Sequence, residues 1–313
     1  MKIAFFSPHL CLRGTTVAMH DYSFYNQEIL GNESVVIHER DHQYNDETVV
    51  EKFEKHAEVI PIDGISGLDS ALEKEKCDAV YIIKTGKNDE RIAHACKTLI
   101  HCVGVQNDPH GDVYAYVSKW LSDVCSGGKT PYVPYMVDLP NVDEDLRKDL
   151  GIPEEAVVFG RNGGHDTWNL PFANAVIETV LRNSSNIYFL FQNTPIPFRH
   201  NRILYVERKA DMAYKTKFIN SCDAMIHARH EGESFGLSCA EFSLRNKPII
   251  TWLDSKERNH IEVLGSKGLY YSSPQDMFES LMTFQKQPEK DWNCYRDFNA
   301  FDVMKKFKEV YLC

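Results

Sequence analysis

The alternation of short apolar runs with helical patterns constrains the fold of this 313-residue chain more than any other feature. Six apolar runs in the first half are typical of strands, at residues 2–7, 34–39, 58–63, 79–84, 98–104 and 113–118. Stretches with helical spacing separate most of them, for example residues 17–30 and 48–56. Because strands that are apolar throughout are buried on both faces, the pattern predicts a parallel sheet covered by helices.

The same pattern restarts after an acidic stretch between Pro140 and Pro153. Further strands are predicted at residues 157–160, 187–192, 203–206, 224–228 and 248–253, with helices near 172–182 and from about 238. The chain length also fits two domains of about 150 residues. We therefore predict an α/β protein with two Rossmann-like domains, residues 1–145 and 146–295. Residues 301–312 have helical spacing and suit packing against either half.

Composition excludes several classes of protein. A net charge of −10 with 43% apolar residues excludes a disordered chain, and the acidic balance argues against a nucleic-acid partner. No apolar run reaches the length of a membrane-spanning helix, and the first ten residues are too short for a signal peptide. Nine cysteines without a C-x-x-C pair indicate reduced thiols. We predict a cytoplasmic protein, with peripheral membrane contact left open.

The segment between residues 230 and 252 carries the most informative pattern. Glu233 and Glu241 are separated by seven residues, with a glycine between them, where a loop meets a predicted helix. This junction follows the strand at 224–228, and open α/β sheets bind ligands at the carboxyl ends of such strands. Amides at the helix start suit a diphosphate, and Gly236 allows close approach of the backbone. The alternative is that both glutamates are ordinary surface acids.

The string from Glu233 to Glu241 resembles the E-x7-E signature of retaining GT-B glycosyltransferases of family 4. The resemblance implies two Rossmann-like domains facing a central cleft, with residues 296–313 returning to the N-terminal, acceptor-side domain. It further implies that Glu233 contacts the donor sugar and that Glu241 binds the ribose of the donor. The amides that would hold the diphosphate belong to Phe235, Gly236, Leu237 and Ser238.

A glycine-rich turn at residues 160–164 follows the first strand of the second half. A strand that ends in Gly-Arg can place one guanidinium, that of Arg161, over a phosphate beside the amide of Gly163. In the resembled family an arginine and a lysine hold the diphosphate here; the lysine is missing, and Lys209 or Arg208 are the candidate substitutes. The alternative is an ordinary strand-to-helix turn.

Three candidates lie in the first half. Gly14 follows the first strand where the resembled family has a glycine-rich loop, although an ordinary turn explains it equally well. The sequence around Gly14 does not match the G-x-G-x-x-G motif of nicotinamide-binding proteins. The resemblance also implies an active-site histidine near the sugar; His101 is our first choice and His110 the second. The alternative is that a histidine on a strand is a satisfied core residue.

We predict neither a metal nor a cofactor. Asp143 and Asp145 form a D-x-D string, but they lie in a charged stretch that opens a predicted helix, where acids are favoured by the helix dipole. The residues 227–231 lack the H-E-x-x-H spacing of zinc enzymes.

The resemblance predicts transfer of a sugar from a UDP- or GDP-sugar to an acceptor hydroxyl, with retention of anomeric configuration. The acceptor would be a glycan, a lipid-linked molecule or a small molecule. Two alternatives stay open: a sugar-nucleotide epimerase or phosphorylase on the same fold, and a non-catalytic protein that binds nucleotide-sugars.

Overall fold

The computed structural model describes residues 1–195 and 198–313, which form two compact units. The first unit comprises Met1–Met136 and Phe298–Cys313, and the second comprises Val137–Asp297. The division falls between Met136 and Val137, nine positions before the boundary at residue 145 that we predicted from the acidic stretch.

The first unit is built on a parallel sheet of six strands in the order β3-β2-β1-β4-β5-β6. Every strand predicted for this half is confirmed. The middle residues of β2, Val35, Val36 and Ile37, are at most 1% exposed, as expected of a strand covered on both faces. The strands are β1 (Lys2–Ser7), β2 (Glu33–Glu39), β3 (Glu58–Ile62), β4 (Ala79–Lys84), β5 (Lys97–Cys102) and β6 (Val113–Tyr116). The helices are α1 (Gly14–Glu28), α2 (Glu47–Glu54), α3 (Leu68–Glu75) and α4 (Lys119–Ser126).

The second unit repeats this plan with the strand order β14-β12-β10-β7-β8-β9. Its main strands are β7 (Val157–Arg161), β8 (Ile187–Gln192), β9 (Ile203–Val206), β10 (Ala224–His227), β12 (Ile249–Trp252) and β14 (Leu269–Tyr271). A separate parallel pair, β11 (Gly232–Glu233) and β13 (Glu257–Arg258), lies outside that sheet. The helices are α5 (Ala173–Asn183), α6 (Met212–Asn220), α7 (Leu237–Leu244), α8 (Asn259–Leu264) and α9 (Pro274–Met282). The sequence analysis did not predict β11, β13 or β14.

The C-terminal segment completes the first unit. Helix α10 (Ala300–Phe307) continues into a wider turn at Lys308–Leu312, which confirms the predicted helix. Its Phe307 ring packs against Tyr22 and Tyr81, with ring centroids 5.2 and 5.5 Å apart. The predicted fold class, α/β with two Rossmann-like domains, is therefore confirmed.

Two further observations concern the whole described chain. Residues 1–195 and 198–313 contain no helix that combines the length and the apolar character needed to cross a membrane. None of the nine cysteines, all of which lie within those ranges, forms a disulfide.

Candidate functional site

The two glutamates of the E-x7-E string lie in different surroundings within the second unit. Glu233 ends the short strand β11, just after β10 ends at His227. One oxygen of its carboxylate lies 3.1 Å from His227 Nε2, and the other accepts a hydrogen bond from Arg229 Nη1 at 2.9 Å. The side chain is 21% exposed, so a ligand can still reach it. This carboxylate is therefore both held in place and accessible.

The charge of Glu233 follows from these contacts. Burial alone would raise its pKa, but the hydrogen bond from His227 and the positive charge of Arg229 outweigh burial and lower the pKa to about 2. Glu233 is therefore ionised at neutral pH and can only accept hydrogen bonds. An ionised carboxylate suits the hydroxyl groups of a sugar.

A chain of hydrogen bonds runs behind Glu233. His227 Nδ1 lies 2.8 Å from the hydroxyl of Thr251 in β12, and that hydroxyl lies 3.1 Å from Nε2 of His260 in α8. His227 is 6% exposed, and Thr251 and His260 are both 0% exposed. Nδ1 of His260 is buried and has no partner among the described residues. We call His227, Thr251 and His260 the histidine chain.

The start of α7 lies close to Glu233. Gly236 precedes the helix with φ of +89°, and a Cβ added there would approach Glu233 Cβ to 3.3 Å and His260 Cβ to 3.1 Å. This conformation favours glycine. No described side chain caps the helix, and its first turn carries no acidic residue. The amides of Leu237 and Ser238 in that turn therefore retain donor capacity that suits an anion.

The Phe235 carbonyl links this turn to two other residues of the second unit. It accepts hydrogen bonds from Asn259 Nδ2 at 2.8 Å and from the Tyr295 hydroxyl at 3.3 Å. Phe235 itself is 2% exposed, with its ring packed against that of Tyr295. The side chain of Phe235 thus anchors the loop in the interior, while its backbone leads into α7.

Glu241 is far more enclosed than Glu233. It lies inside α7, is 2% exposed and forms an ion pair with Lys215 of α6, the Nζ and Oε1 atoms being 2.5 Å apart. Lys215 is also buried, at 7% exposed. The ion pair fastens α7 to α6, a structural role that the E-x7-E pattern does not reveal. The ribose contact implied by the resemblance stays a prediction.

Both terminal nitrogens of the Arg161 guanidinium donate hydrogen bonds within the protein. Its Nη1 donates to the Asn193 carbonyl at 2.7 Å and to Thr194 Oγ1 at 2.6 Å. Its Nη2 donates to the Gly164 carbonyl and to Thr167 Oγ1, both at 2.7 Å. Burial lowers its pKa to about 10. In this arrangement Arg161, which is 3% exposed, ties two loops together.

The neighbours of Arg161 explain the glycine-rich turn. A Cβ on Gly163 would approach Arg161 Nη2 to 3.2 Å, so the glycine leaves room for the guanidinium. Arg208 and Arg229 add positive charge near Arg161, whereas Glu233 adds negative charge. Arg208 was one candidate for the missing lysine; the other, Lys209, lies with its Nζ 4.5 Å from the Tyr214 ring centroid.

The structure corrects the first choice for the active-site histidine. His101 is 0% exposed, with its Nε2 2.8 Å from the Val133 carbonyl and its Nδ1 bonded to the Tyr81 hydroxyl. The rings of Tyr22, Tyr81 and Tyr135 surround it. Burial lowers its pKa to about 3. A neutral side chain with no exposed surface cannot reach a ligand, so His101 is a core residue.

The other two candidates of the first unit are His110, which lies just before β6 begins at Val113, and Gly14, at the start of α1. His110 is 9% exposed; Lys84 Nζ lies 3.0 Å from its Nε2, and its Nδ1 lies 2.7 Å from the Asp108 carbonyl. Lys84 also forms an ion pair with Asp89. Gly14 is the first residue of α1, a 15-residue helix that has no acidic residue in its first turn and that no described side chain caps.

Sequence reasoning missed five residues of the second unit: His227, Arg229, Thr251, His260 and Lys215. The first two lie in the string at residues 227–231, which we considered only as a zinc motif. A signal was present, because a histidine and an arginine at the end of a buried strand stand at the ligand-binding edge of a parallel sheet. The D-x-D acids are exposed, as predicted, but the helix that we expected them to open is absent from the described chain. The Asp143 side chain is 95% exposed and lies 3.8 Å from Arg245.

No family model and no curated protein sequence matches this chain. Its similarity to known proteins lies in the fold, and three solved structures illustrate it. HepE of Anabaena, in complex with UDP-glucose, aligns with a TM-score of 0.70 and 13% identity, over 99% of this chain and 98% of that one. A glycosyltransferase from Rickettsia africae aligns with a TM-score of 0.71 and 14% identity, over 99% and 97%.

The third structure is a candidate UDP-N-acetylglucosamine 2-epimerase from Listeria monocytogenes. It aligns with a TM-score of 0.68 and 13% identity, over 98% of this chain and 96% of that one. Similarity at these identities, over nearly the whole length of each chain, shows a shared two-sheet fold.

Proposed function

We propose that this chain is a glycosyltransferase that binds a UDP- or GDP-sugar in its second unit and transfers the sugar to an acceptor hydroxyl with retention of configuration. One observation carries the proposal: an ionised, accessible carboxylate, Glu233, is held by Arg229 and His227 beside the uncapped start of α7. The similarity to HepE, whose structure contains UDP-glucose, supports the choice of ligand. A glycan, a lipid-linked molecule or a small molecule supplies the hydroxyl.

The diphosphate is the part of the donor that gains charge during the reaction. Breaking the bond between the anomeric carbon and the diphosphate oxygen leaves negative charge on the leaving group. The amides of Leu237 and Ser238 and the guanidinium of Arg229 are oriented before reaction, which is how such charge is stabilised most effectively. These groups are our reason for proposing that the reaction needs no metal ion; Arg161 would support the loop beside them.

The sugar and the ribose are assigned to the two glutamates. Glu233 would accept hydrogen bonds from sugar hydroxyls, and it keeps its negative charge near the oxocarbenium character that develops on the sugar. Glu241 would contact the ribose through the small part of its side chain that is not covered, while Lys215 holds it in place. In the first unit, which we propose as the acceptor side, Gly14 and His110 are the remaining candidates.

The first experiment is calorimetry with UDP-glucose, UDP and a GDP-sugar, each with and without a chelator. We expect one nucleotide-sugar to bind equally in both conditions and to raise the melting temperature, because a ligand that binds only the folded state stabilises it. Incubation with radiolabelled donor and mixed acceptors then tests for a labelled product. Absence of binding across a broad nucleotide-sugar panel would overturn the proposal.

An epimerase is the second candidate, favoured by the similarity to the Listeria structure. An epimerase converts its donor without an acceptor, so product analysis with the donor alone separates the two reactions. A phosphorylase would instead consume inorganic phosphate. A non-catalytic protein would bind the donor and leave it intact at the rate seen in buffer.

A further inference from the structure

The geometry points to Thr251 and His260 as positioning residues that hold His227 in the neutral tautomer whose Nε2 carries the hydrogen, and thereby orient Glu233. The inference rests on the proposed function only for what Glu233 does to a ligand. The placement of the hydrogens stands on the histidine chain itself.

Glu233 and His227 are in direct contact. Glu233 is an ionised carboxylate that can only accept hydrogen bonds. The His227 nitrogen that lies 3.1 Å away must therefore carry a hydrogen. This settles Nε2 as a donor whatever the state of Nδ1.

Thr251 lies between the two histidine rings. Its hydroxyl lies within hydrogen-bond distance of Nδ1 of His227 and Nε2 of His260, but it has a single hydrogen to donate. If His227 is neutral, its Nδ1 is bare, so the hydroxyl must donate to it. The hydroxyl oxygen then accepts a hydrogen from His260 Nε2. All the hydrogen bonds of the histidine chain then run in one direction, toward Glu233.

His260 forms the end of the histidine chain that is farthest from Glu233. Burial lowers the pKa of His260 to about 3, so this ring is neutral at physiological pH. A neutral ring with its hydrogen on Nε2 has a bare Nδ1, and Nδ1 is the buried atom that has no partner among the described residues. A reversed chain would place an N–H there. A buried N–H without an acceptor is among the rarest features of folded proteins.

The hydrogen bonds themselves require a bare Nδ1 on His227. Thr251 is 0% exposed, and within the described part of the chain its hydroxyl has these two ring nitrogens as its partners. Because Nε2 of His260 acts as a donor, the hydroxyl hydrogen has Nδ1 of His227 as its acceptor, and that nitrogen carries no hydrogen. Arg229 donates to the other oxygen of Glu233.

The test is nitrogen NMR of the full-length protein labelled in its histidines, with signals assigned through single His→Gln variants. We expect His227 and His260 each to show one hydrogen-bearing nitrogen, Nε2, and one bare nitrogen, Nδ1. A doubly protonated His227, or a hydrogen on Nδ1 of either ring at neutral pH, would overturn the inference.

Variants of Thr251 supply the second readout. Thr251→Val keeps the shape of the side chain and removes the hydroxyl, so both rings lose their shared partner and Nδ1–H forms should become populated. The affinity for UDP-glucose should fall about five- to tenfold. Thr251→Ser should restore both the NMR pattern and the affinity. Thr179→Val, an exposed threonine of α5, is the matched control and should change neither.

The outcomes separate this inference from the proposed function. If the wild-type protein shows the expected nitrogen pattern but has no affinity for any nucleotide-sugar, the proposed function is refuted. The inference about the histidine chain is then not affected. If the wild-type protein binds UDP-glucose and Thr251→Val changes neither the NMR pattern of the histidine nitrogens nor the affinity, the inference alone is refuted.

Discussion

His101 in the first unit and His227 in the second are both buried histidines near the carboxyl ends of parallel strands, yet their partners differ. His101 is enclosed by tyrosine rings and bonds to a tyrosine hydroxyl and a backbone carbonyl. His227 lies between a threonine hydroxyl and an ionised glutamate that a ligand can reach. The position on the sheet is therefore not sufficient to make a histidine functional; the charge and the accessibility of its partner decide.

The largest effect that we expect concerns the buried ion pair of the second unit. Glu241→Ala leaves the Lys215 ammonium buried without its partner, and removing one member of such a pair costs about 3–5 kcal/mol of folding free energy. Urea unfolding at neutral pH measures this. The double variant Lys215→Met with Glu241→Met should recover most of the loss. Equal stability of Glu241→Ala and wild type would refute the structural role of the pair.

The matching experiment in the first unit is His101→Leu. It leaves the Tyr81 hydroxyl and the Val133 carbonyl buried without partners, and each such group costs roughly 1–3 kcal/mol. We expect a lower urea midpoint and an unchanged affinity for UDP-glucose. His227→Leu, the corresponding change in the second unit, should weaken binding of UDP-glucose. If a folded His101→Leu protein loses the ligand, the contrast between the two histidines is mistaken.

Glu233→Gln tests whether the accessible partner of His227 contributes to ligand binding. It replaces a charged acceptor by a neutral one, and hydrogen bonds to charged groups contribute about 1.5–3 kcal/mol. We expect UDP-glucose affinity to fall about 10- to 100-fold in calorimetry. Glu231→Gln is the control, because this exposed glutamate pairs with Lys256 and should not affect binding. Equal losses in both variants would show a general charge effect.

The same variant tests the pH dependence of stability. The folded-state pKa of Glu233, about 2, is below its ordinary value of 4.5. Its ionised form therefore stabilises the fold above pH 4.5, and this stabilisation is lost as the pH falls toward 2. Acid unfolding should show the advantage of wild type over Glu233→Gln shrinking across that window. An advantage that does not change with pH would contradict the assignment.

The smallest effect concerns Glu257 on the paired strand β13. Burial raises its pKa from 4.5 to about 7, so the folded protein loses stability as the pH rises between these values. Glu257→Gln removes this loss. We expect the variant to gain about 1 kcal/mol relative to wild type above pH 7, after solvent screening. Thermal melts at pH 5 and pH 8 measure the gain, and equal differences at both pH values would refute it.

Much of the fold was predictable from local pattern, because apolar runs such as those of β1, β4 and β8 are continuous and buried on both faces. The short strands β11, β13 and β14 were not predictable, since two or three residues are too few to show a periodic pattern of apolar side chains. The position of Glu233 at a loop before a helix was also predictable. The partners of Glu233 were not predictable, because only the folded structure brings the side chains of Arg229 and His227 to its carboxylate.

The sequence by itself determined the two-sheet α/β architecture and the junction where α7 begins, because both follow from local spacing and from glycine at Gly236. Only the tertiary structure decided which histidine belongs to the core, which glutamate remains accessible and which hydroxyl joins His227 to His260. These properties depend on burial and on contacts between residues distant in sequence. A linear pattern records neither the loss of water around a side chain nor the partner that replaces it.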